Sequence, residues 1–173
     1  TRHRIGISYT SEKISDTILR LNPDYFSSSR RSISFPKKYY SMTYYDLDYI
    51  PYPTKGYAAE AGISKRGFNN SINVWQLGAK GLGIWPVGKK SFFSLGANGM
   101  IKLPFKQPYY TQRFLGYGSM FMQGYEYYVV DGVAGGYIKT MFTRKLLSFN
   151  IRIPAGKKRN PLLIPISFYG KVF

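Results

Sequence analysis

The feature that most constrains this chain is an alternation of side-chain character with a period of two, running through almost all of it. In residues 57–64, Tyr57, Ala59, Ala61 and Ile63 share one face, and Ala58, Glu60, Gly62 and Ser64 the other. In residues 91–103, Phe93, Leu95, Ala97, Gly99, Ile101 and Leu103 alternate with Phe92, Ser94, Gly96, Asn98, Met100 and Lys102. Residues 43–49 set Thr43, Tyr45, Leu47 and Tyr49 against Tyr44, Asp46 and Asp48. Successive side chains of an extended strand leave on opposite faces, so this pattern means strands with one apolar face and one mixed, half-wet face. It excludes a helical bundle. No apolar run has the length of a transmembrane helix, and only Ser15 to Leu21 has weak helical character.

Turn-forming residues punctuate the alternation at near-regular spacing: Asn22-Pro23-Asp24, Pro51 to Gly56, Gly67 to Asn70, Pro86 to Gly88, Pro104 to Pro108, Gly132 to Gly136 and Pro154 to Pro161. Between them lie about eight strand candidates: 2–14, 39–50, 56–67, 72–86, 90–104, 109–118, 136–153 and 162–173. Several exceed the usual length of a strand in a soluble sheet and match what a tilted, membrane-spanning strand needs. A soluble antiparallel sandwich or barrel also alternates, and remains the rival on periodicity alone. No linker divides the chain, so the expectation is one domain over residues 1–173. A start without methionine and an ending in the middle of a strand pattern, Phe168 to Phe173, lead us to expect an internal piece of a longer protein.

Composition narrows the function classes. Cysteine is absent, which removes disulfide, thiol and structural-zinc chemistry. Against 25 Lys and Arg there are eight acidic residues, a formal net charge of +17. With 17 Tyr and 12 Phe, this is also the composition of a single-stranded nucleic-acid binder. The basic residues, however, fall in short groups at turns: Arg30-Arg31, Lys37-Lys38, Lys65-Arg66, Lys89-Lys90 and Lys157-Lys158-Arg159. Charges at strand ends with abundant Tyr suit a membrane interface, with lipid and lipopolysaccharide headgroups as partners and nucleic acid not among them.

Catalysis finds little footing. His3 is the sole histidine. Asp46 and Asp48 share a strand face and have the spacing of a carboxylate pair, but, like Glu60, they read better as polar groups facing a watery barrel interior. Gly78 to Gly83 lacks the Lys-Ser/Thr of a phosphate loop, and Gly118-Ser119 lacks a nucleophile elbow. No enzyme, cofactor or metal site is expected.

The stretch Arg113 to Lys139 is the most distinctive motif, with a Gln123-Gly124-Tyr125 turn, an aromatic run through Tyr128, then Asp131-Gly132 and Gly135-Gly136. It resembles the long inward-folded loop of the outer membrane protein 85 superfamily, the BamA- and TamA-type barrels, with the family's tip arginine replaced by Gln123. Tyr44 to Gly56 is similar to the family's short periplasmic hairpin, and Ile14 to Phe26 to one of its extracellular loops. The resemblance implies an all-β fold: part of an antiparallel transmembrane β-barrel of about sixteen strands in the cell outer membrane. A loop over about 116–136 would fold into its lumen, bracing it with Gln123, Gly124, Tyr125, Glu126, Asp131 and Gly132. It further implies insertion of unfolded outer-membrane client proteins by strand augmentation at a seam, with accessory lipoproteins as partners. Two-partner secretion and fusion to a lipase-like domain are the other activities known on the same barrel.

Overall fold

The computed structural model describes residues 1–26, 29–68, 72–117, 122, 124, 125, 127–153 and 162–173. The chain is all-β, with almost no helix. In order it forms β1 (Arg2–Lys13), α1 (Asp16–Leu21), β2 (Ser32–Leu47), β3 (Gly56–Arg66), β4 (Val74–Pro86), β5 (Ser91–Leu103), a 3-10 turn (Tyr109–Gln112), β6 (Arg113–Leu115), β7 (Val130–Asp131), β8 (Ala134–Ile153) and β9 (Leu162–Val172). Seven strands make one mostly antiparallel sheet in the order β1-β2-β3-β4-β5-β8-β9, while β6 and β7 pair separately. The large sheet is not closed: β1 and β9 are its edges.

Six of the eight expected strands appear within about two residues of their expected limits. β2 is the seventh, and it begins well before residue 39, at Ser32. Pro36 and the flanking charges hide that extension in the sequence, because a proline cannot donate to a ladder. In the structure Pro36 stands opposite Tyr9, and its carbonyl accepts from the Gly67 amide. The expected strand 109–118 is corrected. That segment leaves the large sheet as the 3-10 turn and the three-residue β6, because β5 pairs directly with β8. The helical segment is a single short helix capped by Ser15, whose hydroxyl accepts from the Ile18 amide.

Two compact units divide the chain. Thr1–Tyr44, Ala59–Gly81 and Ala97–Tyr137 form the first; Tyr45–Ala58, Leu82–Gly96 and Ile138–Phe173 form the second. The first holds the β1–β2, β3–β4 and β5–β8 connections; the second holds the connections 48–55 and 87–90.

In the first unit the alternation resolves into two unlike faces. The exposed side carries Ile5, Ile7 and Tyr9 of β1, Tyr40 and Met42 of β2, Trp75 and Leu77 of β4, and Ile101 and Leu103 of β5. Ile5 is 79% exposed. The half-buried side carries Lys37, Tyr39 and Ser41, then Glu60, Gly62 and Ser64, then Gln76 and Gly78, then Asn98, Met100 and Lys102. Near the connections this inner side turns apolar: Ile33, Phe35 and Val74 meet Phe26, Ile72 and Tyr110 in the unit's buried core. Aromatic edges hold it, with Phe26 and Tyr110 rings 5.2 Å apart and T-shaped.

The second unit carries aromatic groups on both sides. Trp85 is exposed and donates from its indole nitrogen to the Tyr57 hydroxyl at 2.9 Å. On the other side Tyr52, Phe92 and Tyr169 cluster, with the Tyr52 and Tyr169 rings 4.8 Å apart and the Lys171 ammonium over Tyr52.

Candidate functional site

The polar side of the first unit carries a groove of about 240 Å³ lined by Lys37, Tyr39, Ser41, Glu60, Gln76, Lys80 and Asn98. Glu60 faces Lys80 at 2.9 Å. Glycines at Gly62 and Gly78 keep the floor low, and the buried Gln76 Oε1 has no partner among the described residues. Charged and amide groups stand in it beside Tyr40, Ile63 and Met100, so the groove is mixed in character.

Over the same side lies the connection between β5 and β8. Lys102, 1% exposed, sends its ammonium into that connection and donates to the Thr111 carbonyl at 2.8 Å and to the Arg113 carbonyl. Tyr110 is buried and donates its hydroxyl to Glu12 Oε1 at 2.5 Å. Burial, and then the bond to Glu12, push the Tyr110 hydroxyl well above its ordinary pKa, so it stays a donor. Arg113 lies over the Tyr110 ring at 5.0 Å and donates to the Tyr25 hydroxyl at 2.9 Å. Returning, β7 pairs Asp131 with Arg113, and Asp131 accepts from the Tyr109 hydroxyl at 2.8 Å. The Gly132 amide bonds the Gln112 carbonyl, and Val133 accepts from the Lys102 amide. Gly135 and Gly136 let β8 leave tightly: a Cβ at Gly136 would sit 2.6 Å from the Asn98 carbonyl oxygen. Lys102 and the Tyr110–Glu12 bond thus fasten the base of the connection to the inner side of β5 and β1, while the Tyr109–Asp131 bond ties its two arms to each other.

The expected site residues are scattered and do not form one site. Asp131 and Gly132 belong to this docked base. Gly124 and Tyr125 lie farther along, where Gly124 has φ of +86°, Tyr125 packs edge-on against Tyr128, and Tyr127 is 99% exposed. Gln123 and Glu126 lie outside the described residues. Glu60 lines the groove. Asp46 is exposed on β2, while Asp48 lies beyond the strand's end at Leu47 and does not extend the alternation. Asp48 caps the β2–β3 turn, accepting from the Thr54 hydroxyl at 2.5 Å, the Thr54 amide at 2.9 Å and the Lys55 amide at 3.1 Å. Those donors, the Thr54 hydroxyl first, hold its carboxyl down at about 2.

The sequence reading missed Glu12, Lys102, Tyr110 and Arg113 as a set. One signal was available: Lys102 is the lone charge on the mixed side of β5. Among the described residues no three His, Cys, Asp or Glu side chains group as a metal site, and His3 bonds the Tyr40 hydroxyl on the exposed side. No family model, curated protein or solved structure matches this chain.

Proposed function

We propose that this chain is a portion of an outer-membrane β-barrel of the outer membrane protein 85 type. Its exposed apolar side meets lipid, its polar side lines an aqueous lumen, and the 104–133 connection braces that lumen. One observation carries the reading: in the first unit the exposed side of the strands is apolar and the half-buried side is charged and polar. A sheet with one face in water does the reverse. Large apolar side chains left in water forgo about 25 cal/mol for each Å² they could bury, and so broad an exposed set calls for an apolar partner. A lipid-facing strand has this inside-out alternation.

The edges point the same way. Strands β1 and β9 each leave one row of amides without a ladder partner, which hydrocarbon does not tolerate, so further strands complete the sheet. In this type of barrel the work is not covalent: a seam opens, a client strand adds to the exposed edge, and the chain enters the bilayer. The docked connection supports that role by stiffening the wall away from such a seam.

The test is fractionation of the full-length protein followed by heat-modifiable gel mobility in detergent, then client insertion into liposomes. A membrane-bound band that shifts on boiling, with client insertion above the protein-free rate, is the expected result. A folded barrel that inserts no client leaves secretion or a lipase-fused architecture. A detergent-independent, salt-soluble chain refutes the barrel outright.

A further inference from the structure

The exposed side of the first unit carries one charged cluster that the barrel reading does not use. Lys38 of β2 and Lys65 of β3 both hold their ammonium groups over the Phe68 ring, 5.5 and 6.0 Å from its centroid. Lys65 also lies 4.9 Å from the Trp75 ring and donates to the Asn73 side-chain carbonyl. Two like charges are therefore gathered around one aromatic edge of an apolar surface. No carboxylate faces them: among the described residues the ion pairs are Arg31–Asp16 and Lys80–Glu60. Ring faces satisfy only part of an ammonium, which has three donors, so the pair has N–H groups left for an anion.

This step rests on the barrel reading, which decides what lies against that surface. Trp and Lys together mark the headgroup level of a membrane-spanning wall. The cluster adjoins the ends of β3 and β4 at Phe68 and Asn73, in the unit that also holds the long β1–β2 and β5–β8 connections. Barrels of this kind send long connections to the cell exterior and short turns to the periplasm. We propose that Lys38 and Lys65, framed by Phe68 and Trp75, bind the phosphate of an anionic lipid in the outer leaflet.

The experiment is native mass spectrometry of the full-length protein in detergent, titrated with phosphatidylglycerol, whose phosphate stands in for those of lipopolysaccharide, and separately with a neutral diacylglycerol. About 1 kcal/mol of attraction per basic residue predicts that K38A/K65A weakens phosphatidylglycerol binding about thirtyfold, with neutral lipid unchanged. K38R/K65R keeps the affinity. Equal phosphatidylglycerol affinity in wild type and K38A/K65A overturns the site while the heat-modifiable barrel stands. Inorganic phosphate displacing the lipid at millimolar concentration overturns the lipid as occupant. A chain that needs no detergent and shows no mobility shift overturns the barrel and this site together.

Discussion

Removing the Tyr110 hydroxyl tests whether the β5–β8 connection is fastened to the half-buried side of the sheet by specific bonds. Tyr110→Phe keeps the ring against Phe26 and Phe35 and deletes only the donor to Glu12. A hydrogen bond to a charged acceptor contributes about 1.5–3 kcal/mol. Glu12 is only half-buried, so water recovers part of that and the lower end applies, about 1.5 kcal/mol. That equals roughly a tenfold rise in the opening equilibrium. Hydrogen exchange of the full-length protein reads it directly at two amides, Gly132 to Gln112, which ties the two arms of the connection, and Lys102 to Val133, which ties the connection to β5. Both should exchange about ten times faster, while amides of the β8–β9 ladder keep their protection. A double-mutant cycle with Glu12→Ala should return a coupling near the same 1.5 kcal/mol. Unchanged exchange in Tyr110→Phe, or strict additivity in the cycle, refutes the fastening.

Three further outcomes follow from the same structure. Because the neutral Tyr110 hydroxyl is the form the fold prefers, docking is fully present below the ordinary tyrosine value near 10 and weakens as pH climbs past it; rising proteolysis of the connection above that pH, absent in Tyr110→Phe, is the check. Asp48 works in the opposite sense: its depressed carboxyl steadies the β2–β3 turn above about pH 4 and loses that effect as pH falls toward 2, and amide shifts of Thr54 and Lys55 that follow the acid titration in wild type should vanish in Asp48→Asn. Gly136→Val forces a side chain onto the Asn98 carbonyl and should lower stability by about 1–3 kcal/mol, and a fall in unfolding temperature in detergent, absent in Gly81→Ala, where a Cβ meets no atom of the described residues within 4 Å, is the check.

Strand content was legible because a period of two survives any tertiary arrangement, and β3, β4 and β5 appear where alternation and flanking turns place them. Which face would be exposed was not written in the pattern, since a water-facing and a lipid-facing sheet alternate alike. Segment 109–118 misled because Tyr and Thr favour strands, while its partner was decided by β5 reaching β8 across the connection. The site was half legible. Glycines and Asp131 marked the loop, but its anchors Glu12 and Tyr110 stand 98 residues apart, a distance no local pattern spans. Asp48 shows the converse: it has the look of a pair with Asp46 only while the strand is imagined to continue past Leu47.

The central claim is that the exposed apolar side faces lipid, and the chain supplies its own probes. Its two tryptophans, Trp75 and Trp85, are both exposed, at 46% and 38%. Tryptophan fluorescence of the native protein in liposomes, with brominated lipid and aqueous iodide as competing quenchers, reads their surroundings. Lipid contact gives blue-shifted emission quenched strongly by brominated acyl chains and weakly by iodide. Emission near the value for water, quenched by iodide and indifferent to brominated lipid, contradicts it.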